Sequence, residues 1–313
     1  MKGSDTEGGI YFHTVKVTIN AKHLEYGMKG SDTEGGIYLH TVKVTINAKH
    51  LEYGMKGSDT EEKGRKGKMT FIRAALMIIY GTIYTWCSYF KRAYHKIKYK
   101  DTKQRHDANF YMLQRMMRGI FKIMGIHVNA EGDTSFEGPG VIIGNHRSNF
   151  DALILITCME KPIIFIGKSQ IKKFIFVGKW FQDIGCLFID RDDIRKSLEV
   201  INESIDKVKE GYTVVVFPEG TRSKEKKVNE FKPGSLKVAM KAQAPIVPVT
   251  FINSDDCYEV HHKFRSANIQ VFINDVVDLN AIEAKNTVDL ANYLYEIIAG
   301  KYNEVVHEGQ TPE

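Results

Sequence analysis

His146 and Asp151 stand five residues apart in Asn145-His146-Arg147-Ser148-Asn149-Phe150-Asp151, which follows the apolar run GVIIG and leads into FDALILITCM. Histidine is the usual general base near neutral pH. A carboxylate on one ring nitrogen fixes the tautomer and stabilises the imidazolium formed when the other nitrogen takes a proton. Such a dyad can deprotonate an alcohol as it attacks a thioester. Taken alone the spacing is weak, because Asp in a first helical turn complements the helix dipole and a lone loop histidine is ordinary polar surface.

A second cluster, Phe217-Pro218-Glu219-Gly220-Thr221-Arg222-Ser223, follows the apolar run TVVVF. Glu219, Thr221, Arg222 and Ser223 around a turn permitted by Gly220 can grip a phosphate or a glycerol hydroxyl, with Arg222 supplying the bidentate fork. Read by itself, E-G-T-R is only a polar turn. Its position after a strand, like that of the histidine segment, raises its standing.

The elements that must carry these clusters alternate in type. Short β-rich runs fall at Ile126–Val128, Val141–Ile143, Ile163–Ile166, Cys186–Ile189, Thr213–Phe217, Ile246–Phe251 and Ile269–Ile273. Helical stretches fall near Phe150–Met159, Ile194–Lys209, Gly234–Gln243 and Val288–Val306. Continuous apolar runs such as Val214-Val215-Val216 are expected of strands buried on both faces. This alternation predicts an α/β fold, a mixed and largely parallel sheet flanked by helices, with chemistry at the carboxyl ends of strands.

Upstream, residues 74–90 read AALMIIYGTIYTWCSYF without a charge, preceded by Arg73 and followed by Lys91-Arg92. The run is slightly shorter than the about 20 residues of a spanning helix. Its aromatic end and the basic residues beyond it predict a retained membrane-associated segment facing an anionic leaflet. No small-residue cleavage site follows, which disfavours a signal peptide. Residues 105–124 carry Phe110, Leu113, Met117, Ile120, Phe121 and Met124 at helical spacing, an amphipathic helix for core or interface.

Residues 1–27 recur as residues 28–54 with one change, Phe12 to Leu39, and a third copy starts at Met55. Residues 61–68 (EEKGRKGK) then precede Met69, and each of these residue types has a purine-only codon. A ribosome-binding tract read through as protein has this character, so the expected native start is Met69. The expected organisation is residues 1–68 outside the native fold, residues 69–124 as membrane anchor and amphipathic helix, and residues 125–313 as the α/β domain. A mature terminus sequenced upstream of Met69 in the native source would refute that start.

The formal charge of +6 over 313 residues is modest; residues 1–68 hold 11 of 44 basic and 9 of 38 acidic side chains, leaving 33 against 29. Without a concentrated basic stripe, nucleic acid is not an expected partner. Cys87, Cys158, Cys186 and Cys257 form no C-x-x-C pair, which points away from a zinc site or a disulfide framework and toward a reducing compartment. There is also no G-x-S-x-G nucleophile elbow.

Four blocks, N-H-R-S-N-F-D at 145–151, G-C-L-F-I-D-R at 185–191, F-P-E-G-T-R-S at 217–223 and I-V-P-V at 246–249, occur in the order seen in the glycerolipid acyltransferases. From Met69 onward the chain resembles that family, and within it the bacterial 1-acyl-sn-glycerol-3-phosphate acyltransferases. The resemblance implies His146 as general base and Asp151 as its partner. It further implies Arg191, Glu219 and Arg222 on the phosphate-bearing acceptor, with Gly220 and Thr221 in the same turn. Pro248 would shape the floor of the site, and Lys168 would be a further phosphate contact. Direct transfer from an acyl thioester, of coenzyme A or of acyl carrier protein, is implied, with no cofactor, metal or acyl-enzyme. Lysophosphatidate is the implied acceptor, and the site would face the cytoplasmic side of the cell membrane on a lipid bilayer.

Intact F-P-E-G-T-R-S and F-I-D-R blocks favour the second acylation of the glycerol backbone over the first. Another lysophospholipid or glycerol 3-phosphate as acceptor stays open, as does a non-catalytic lipid-binding scaffold. A thioester hydrolase would leave Arg222 and Glu219 without a purpose.

Overall fold

The runs GVIIG and TVVV become strands β2 (Gly140–Gly144) and β5 (Thr213–Val216), each buried along its whole length. They pair in parallel, with Ile143 opposite Val216, so the two polar clusters leave the sheet side by side. The computed structural model describes residues 59–136, 138–173, 177–190 and 193–308. The repeats at 1–54 and the start of the third copy lie outside the described residues.

The remaining strands are β1 (Ile126–Gly132), β3 (Ile164–Lys168), β4 (Leu187–Ile189), β6 (Ile246–Ile252) and β7 (Ala267–Ile273). The sheet order is β1-β7-β6-β2-β5-β3-β4, and every pairing is parallel except β6 with β7. All seven expected runs form strands, and the mixed, largely parallel α/β architecture is the observed one.

From β2 the chain passes through α3 (Asp151–Cys158) to β3 on one side; from β5 it passes through α6 (Lys237–Ala242) to β6 on the other. Connections that diverge from adjacent strands open a crevice at their carboxyl ends, the usual ligand position in such sheets. Helix α5 (Ile194–Lys209) begins with the Asp193 carboxylate accepting the N–H groups of Arg195 and Lys196. Helix α7 (Thr287–Glu308) packs on β6 and buries Leu290, Leu294, Ile298 and Tyr302. The short α4 (Val177–Asp183) had no signal in the sequence, being too brief to show a helical period.

Helix α2 (Thr102–Met124) ends at Gly125, whose φ of 70° lets its N–H reach Lys122 O and Phe121 O. The amphipathic face predicted for this segment is core: Phe110, Leu113, Met117, Phe121 and Met124 are buried. Helix α1 (Asp59–Lys98) runs antiparallel to it, with Tyr84 Oη donating to Met112 O at 3.0 Å and His95 Nδ1 lying 2.8 Å from Asn109 Oδ1. It begins at Asp59, ten residues before Met69.

The apolar segment of α1 is inverted relative to an ordinary surface helix. Its inward face carries polar groups, with Ser88, Arg92 and His95 buried and Arg92 paired to Asp183 at 2.5 Å. Its outward face carries Phe71, Ile78, Ile79, Ile83, Trp86, Tyr89, Phe90, Tyr94 and Ile97, and Trp86 is 70% exposed. Residues 71–98 are long and apolar enough to cross a membrane by length and composition.

Candidate active site

The first turn of the site is anchored before its histidine. Asn145 is fully buried at the end of β2; its Nδ2 donates to Phe251 O at 3.1 Å and its Oδ1 accepts Phe251 N–H at 2.7 Å. The side-chain amide thus continues the β2–β6 ladder one step past the last backbone pair. A Cβ at Gly144, just before it, would stand 3.0 Å from the Phe251 ring and push that ring aside.

His146 Nδ1 lies 2.7 Å from Asp151 Oδ2, and the same oxygen accepts the backbone N–H of Arg147 at 2.8 Å and of Ser148 at 2.9 Å. An oxygen already accepting two N–H bonds faces the ring as an acceptor. The proton therefore sits on Nδ1, and Nε2 is the nitrogen with a free lone pair. Asp151 is fully buried and its Oδ1 has no hydrogen-bond partner. The imidazole is stacked on Phe217, with centroids 4.5 Å apart and planes 21° apart, and remains partly exposed. Ring orientation is therefore held from two sides.

The second turn joins the first through its backbone. Glu219 is 2% exposed; its Oε1 accepts the N–H of His146 at 2.6 Å and its Oε2 accepts the N–H of Asn229 at 3.2 Å. Burial pushes the Glu219 carboxyl up to about 7, with the two backbone N–H groups opposing that rise. Ser223 N–H returns a bond to His146 O at 2.7 Å. Both the N–H and the C=O of His146 are thus tied to the 217–223 turn. The sequence suggested a substrate-gripping Glu219, whereas its carboxylate points to main-chain donors.

Arg222 is the exposed cation of this turn, and its Nη1 donates to Glu259 Oε1 at 3.0 Å. Gly220 has φ of 70°, and a Cβ there would stand 3.0 Å from Lys232 Nζ, so Lys232 lies folded across the turn. Thr221 is exposed beside them. Lys168 is exposed at the end of β3; continuing the Phe165–Val215 register sets it level with Pro218. Pro248 is buried within β6 opposite Ile143, inside the sheet. Arg191 lies outside the described residues.

Arg147 stands inside the first block but had no role assigned from the sequence, and Asp255, Glu259 and Lys232 carried no motif. Arg147 is 4% exposed and pairs bidentately with Asp255, Nε to Oδ1 at 3.1 Å and Nη2 to Oδ2 at 2.6 Å. Glu259 touches both turns, and Lys232 brings a further cation. Asp255 and Glu259 belong to the loop between β6 and β7, which shows no periodicity that would flag them. Among the described residues no group of three or more His, Cys, Asp or Glu side chains converges as a metal site.

A fixed imidazole, a buried carboxylate behind it and a cationic turn beside it have the chemistry that base-assisted transfer to an anionic acceptor would need. Residues 125–252 match the family described as Acyltransferase. A 1-acyl-sn-glycerol-3-phosphate acyltransferase of Borreliella burgdorferi is 30% identical over 186 residues, covering 56% of this chain and 74% of that protein. One named as a probable enzyme of that kind in Mycoplasma pneumoniae is 33% identical over 213 residues, covering 63% and 79%. The crystal structure of the 1-acyl-sn-glycerophosphate acyltransferase of Thermotoga maritima shares the fold, with TM-score 0.66 over 78% of this chain and 97% of that one at 22% identity. The chain belongs to the acyltransferase family, among the 1-acyl-sn-glycerol-3-phosphate acyltransferases.

Proposed function

We propose that this acyltransferase esterifies the sn-2 hydroxyl of 1-acyl-sn-glycerol 3-phosphate, giving phosphatidate, with His146 as general base. The observation that carries the reading is the His146–Asp151 contact at 2.7 Å, held beside the Arg222 turn by Glu219. Nε2 takes the hydroxyl proton as the oxygen attacks the thioester carbonyl. The tetrahedral intermediate collapses with cleavage of the C–S bond, and the imidazolium returns the proton to the departing thiolate. Asp151 stabilises the imidazolium between these steps. Arg222 binds the acceptor phosphate, with Lys168, Lys232, Thr221 and Arg191 as further contacts. Glu219 serves by holding the backbone of His146. The acyl donor is a thioester of coenzyme A or of acyl carrier protein, for which the exposed Lys172, Lys173 and Lys179 offer an acidic partner a basic edge.

Attachment to a lipid bilayer is supported by the outward apolar stripe of α1. Between Arg73 and His95 the inward face of that helix is bound to α2 and α4, which favours a helix lying in one leaflet over one leaving the domain to cross the bilayer. On this reading the site faces the cytoplasmic side of the cell membrane.

The test is acyl transfer by the full chain in lipid, with lysophosphatidate, glycerol 3-phosphate and water as competing acceptors and both thioesters as donors. Phosphatidate formed by the wild type and lost in His146→Ala is the expected result. Equal use of all acceptors would refute the assigned acceptor, and an active His146→Ala would refute the base.

A further inference from the structure

Glu259 gathers donors from both turns of the site. Its Oε1 accepts the backbone N–H of Asn149 at 2.8 Å and Arg222 Nη1 at 3.0 Å, while its Oε2 accepts Ser148 Oγ at 2.8 Å. A main-chain N–H, a hydroxyl and a guanidinium form a donor set suited to a phosphate. Here the chain's own carboxylate fills it, between the catalytic dyad and the cationic turn. The two ends of the ion pair differ: the side chain of Glu259 is 18% exposed, that of Arg222 41%. Glu259 is thus the anchored end and Arg222 the end free to move.

We propose that Glu259 is an internal anion that competes with the acceptor phosphate for Arg222 and so sets the affinity for the acceptor. Ion pairs with one end this exposed are weak, and a phosphate offers Arg222 a bidentate, charge-assisted alternative. When the acceptor arrives, the guanidinium leaves Glu259, and Ser148 and Asn149 keep the carboxylate in its seat. The negative charge left behind also opposes the incoming phosphate, so exchange and repulsion act in the same direction. This rests on the reading of Arg222 as a phosphate-binding residue.

Glu259→Gln separates charge from geometry. Its amide oxygen can occupy the position of Oε1 and accept from Asn149 and Arg222. Its amide nitrogen then donates to Ser148 Oγ, which already accepts Phe150 N–H at 3.0 Å. The full chain in mixed micelles is assayed with lysophosphatidate as acceptor and inorganic phosphate as soluble competitor. The expected result is an acceptor KM and a phosphate inhibition constant each lowered about twofold to fivefold, with kcat kept. High salt should shrink both differences. In an Arg222→Ala background only the repulsion remains, so Glu259→Gln should lower both constants by less than it does in the wild type.

A brace without this role would lose kcat or thermal stability and would not tighten binding. The proposal is overturned if Glu259→Gln raises the acceptor KM, leaves both constants alone, or moves only the inorganic phosphate constant. The parent reading fails separately: Arg222→Ala with an unchanged acceptor KM removes Arg222 from the phosphate site. An Arg222→Ala that raises KM beside an inert Glu259→Gln sinks only the competition.

Discussion

Glu219 Oε1 accepts the backbone N–H of His146 at 2.6 Å, so one turn of the site holds the main chain of this histidine while Asp151 holds its ring. Position and orientation are therefore set by different carboxylates, one in the turn after β5 and one in the first turn of α3. Both are buried, and each serves a main-chain N–H as well as any charge it carries.

Glu219 gives the fold a pH dependence of defined sign. Burial lifts its carboxyl from 4.5 to about 7, so the folded chain keeps the proton over a range in which the unfolded chain has lost it. A raised folded value contributes stability that is fully present below the unfolded pKa and is lost as pH rises through the folded one. Urea midpoints of wild type and Glu219→Gln, compared from about pH 4.5 to about pH 8, should differ most in favour of the wild type at the acid end. A difference that is flat, or that grows with pH, would show that Glu219 titrates normally.

The strands and most helices were legible because their patterns are local. Val214-Val215-Val216 reads as a doubly buried strand with no knowledge of its neighbours, and Ile194–Lys209 matches α5 end to end. Both chemical turns were legible for the same reason, each following an apolar run. The adjacency of β2 and β5 was not legible, since periodicity carries no information about which strands pair. That adjacency explains where the Glu219 carboxyl points: it brings the N–H of His146 within reach, and a main-chain N–H turned away from water needs an acceptor. Glu259 and Asp255 were invisible for a related reason, because they act across 37 to 110 residues of chain from an aperiodic loop.

Removing the two members of the dyad should damage the protein differently. His146 is partly exposed, so His146→Ala should lower kcat by about 100-fold to 10,000-fold with little change in thermal midpoint. Asp151→Ala removes the acceptor for the N–H groups of Arg147 and Ser148, both buried, and each orphaned donor costs about 1–3 kcal/mol. Asp151→Ala should therefore be inactive and clearly less stable, with Asp151→Asn between the two in stability. Calorimetry beside the activity assay checks the order; equal stability of His146→Ala and Asp151→Ala would contradict it.

Arg147 stands next to His146 yet should act on stability and leave acceptor affinity alone. It is buried in a bidentate pair with Asp255, and Nη1 donates to Glu225 O at 2.8 Å. Removing one partner of such a pair strands the other charge, at a cost of about 3–5 kcal/mol. Arg147→Ala and Asp255→Ala should each be strongly destabilised, and the double variant much less than the sum of the two. Urea unfolding of the four proteins gives the coupling directly. Additive losses would mean that the pair is not a unit.

The apolar stripe of α1 predicts a membrane-binding defect separable from folding. Trp86, Phe90 and Ile97 are 70%, 62% and 81% exposed, so replacing all three by Ser removes little from the packed interior. Burying a large apolar side chain in lipid is worth about 1.5–3 kcal/mol, so the triple variant should lose more than about tenfold in partitioning to anionic vesicles while its thermal midpoint holds. Tyr84→Phe is the complementary control. It deletes the bond to Met112 O on the inner face, and should weaken the α1–α2 pairing while leaving the outer stripe intact. Vesicle sedimentation that is unchanged in the triple variant would mean that the stripe meets something other than lipid. Loss of binding in Tyr84→Phe with its fold intact would move the membrane contact to the wrong face of the helix.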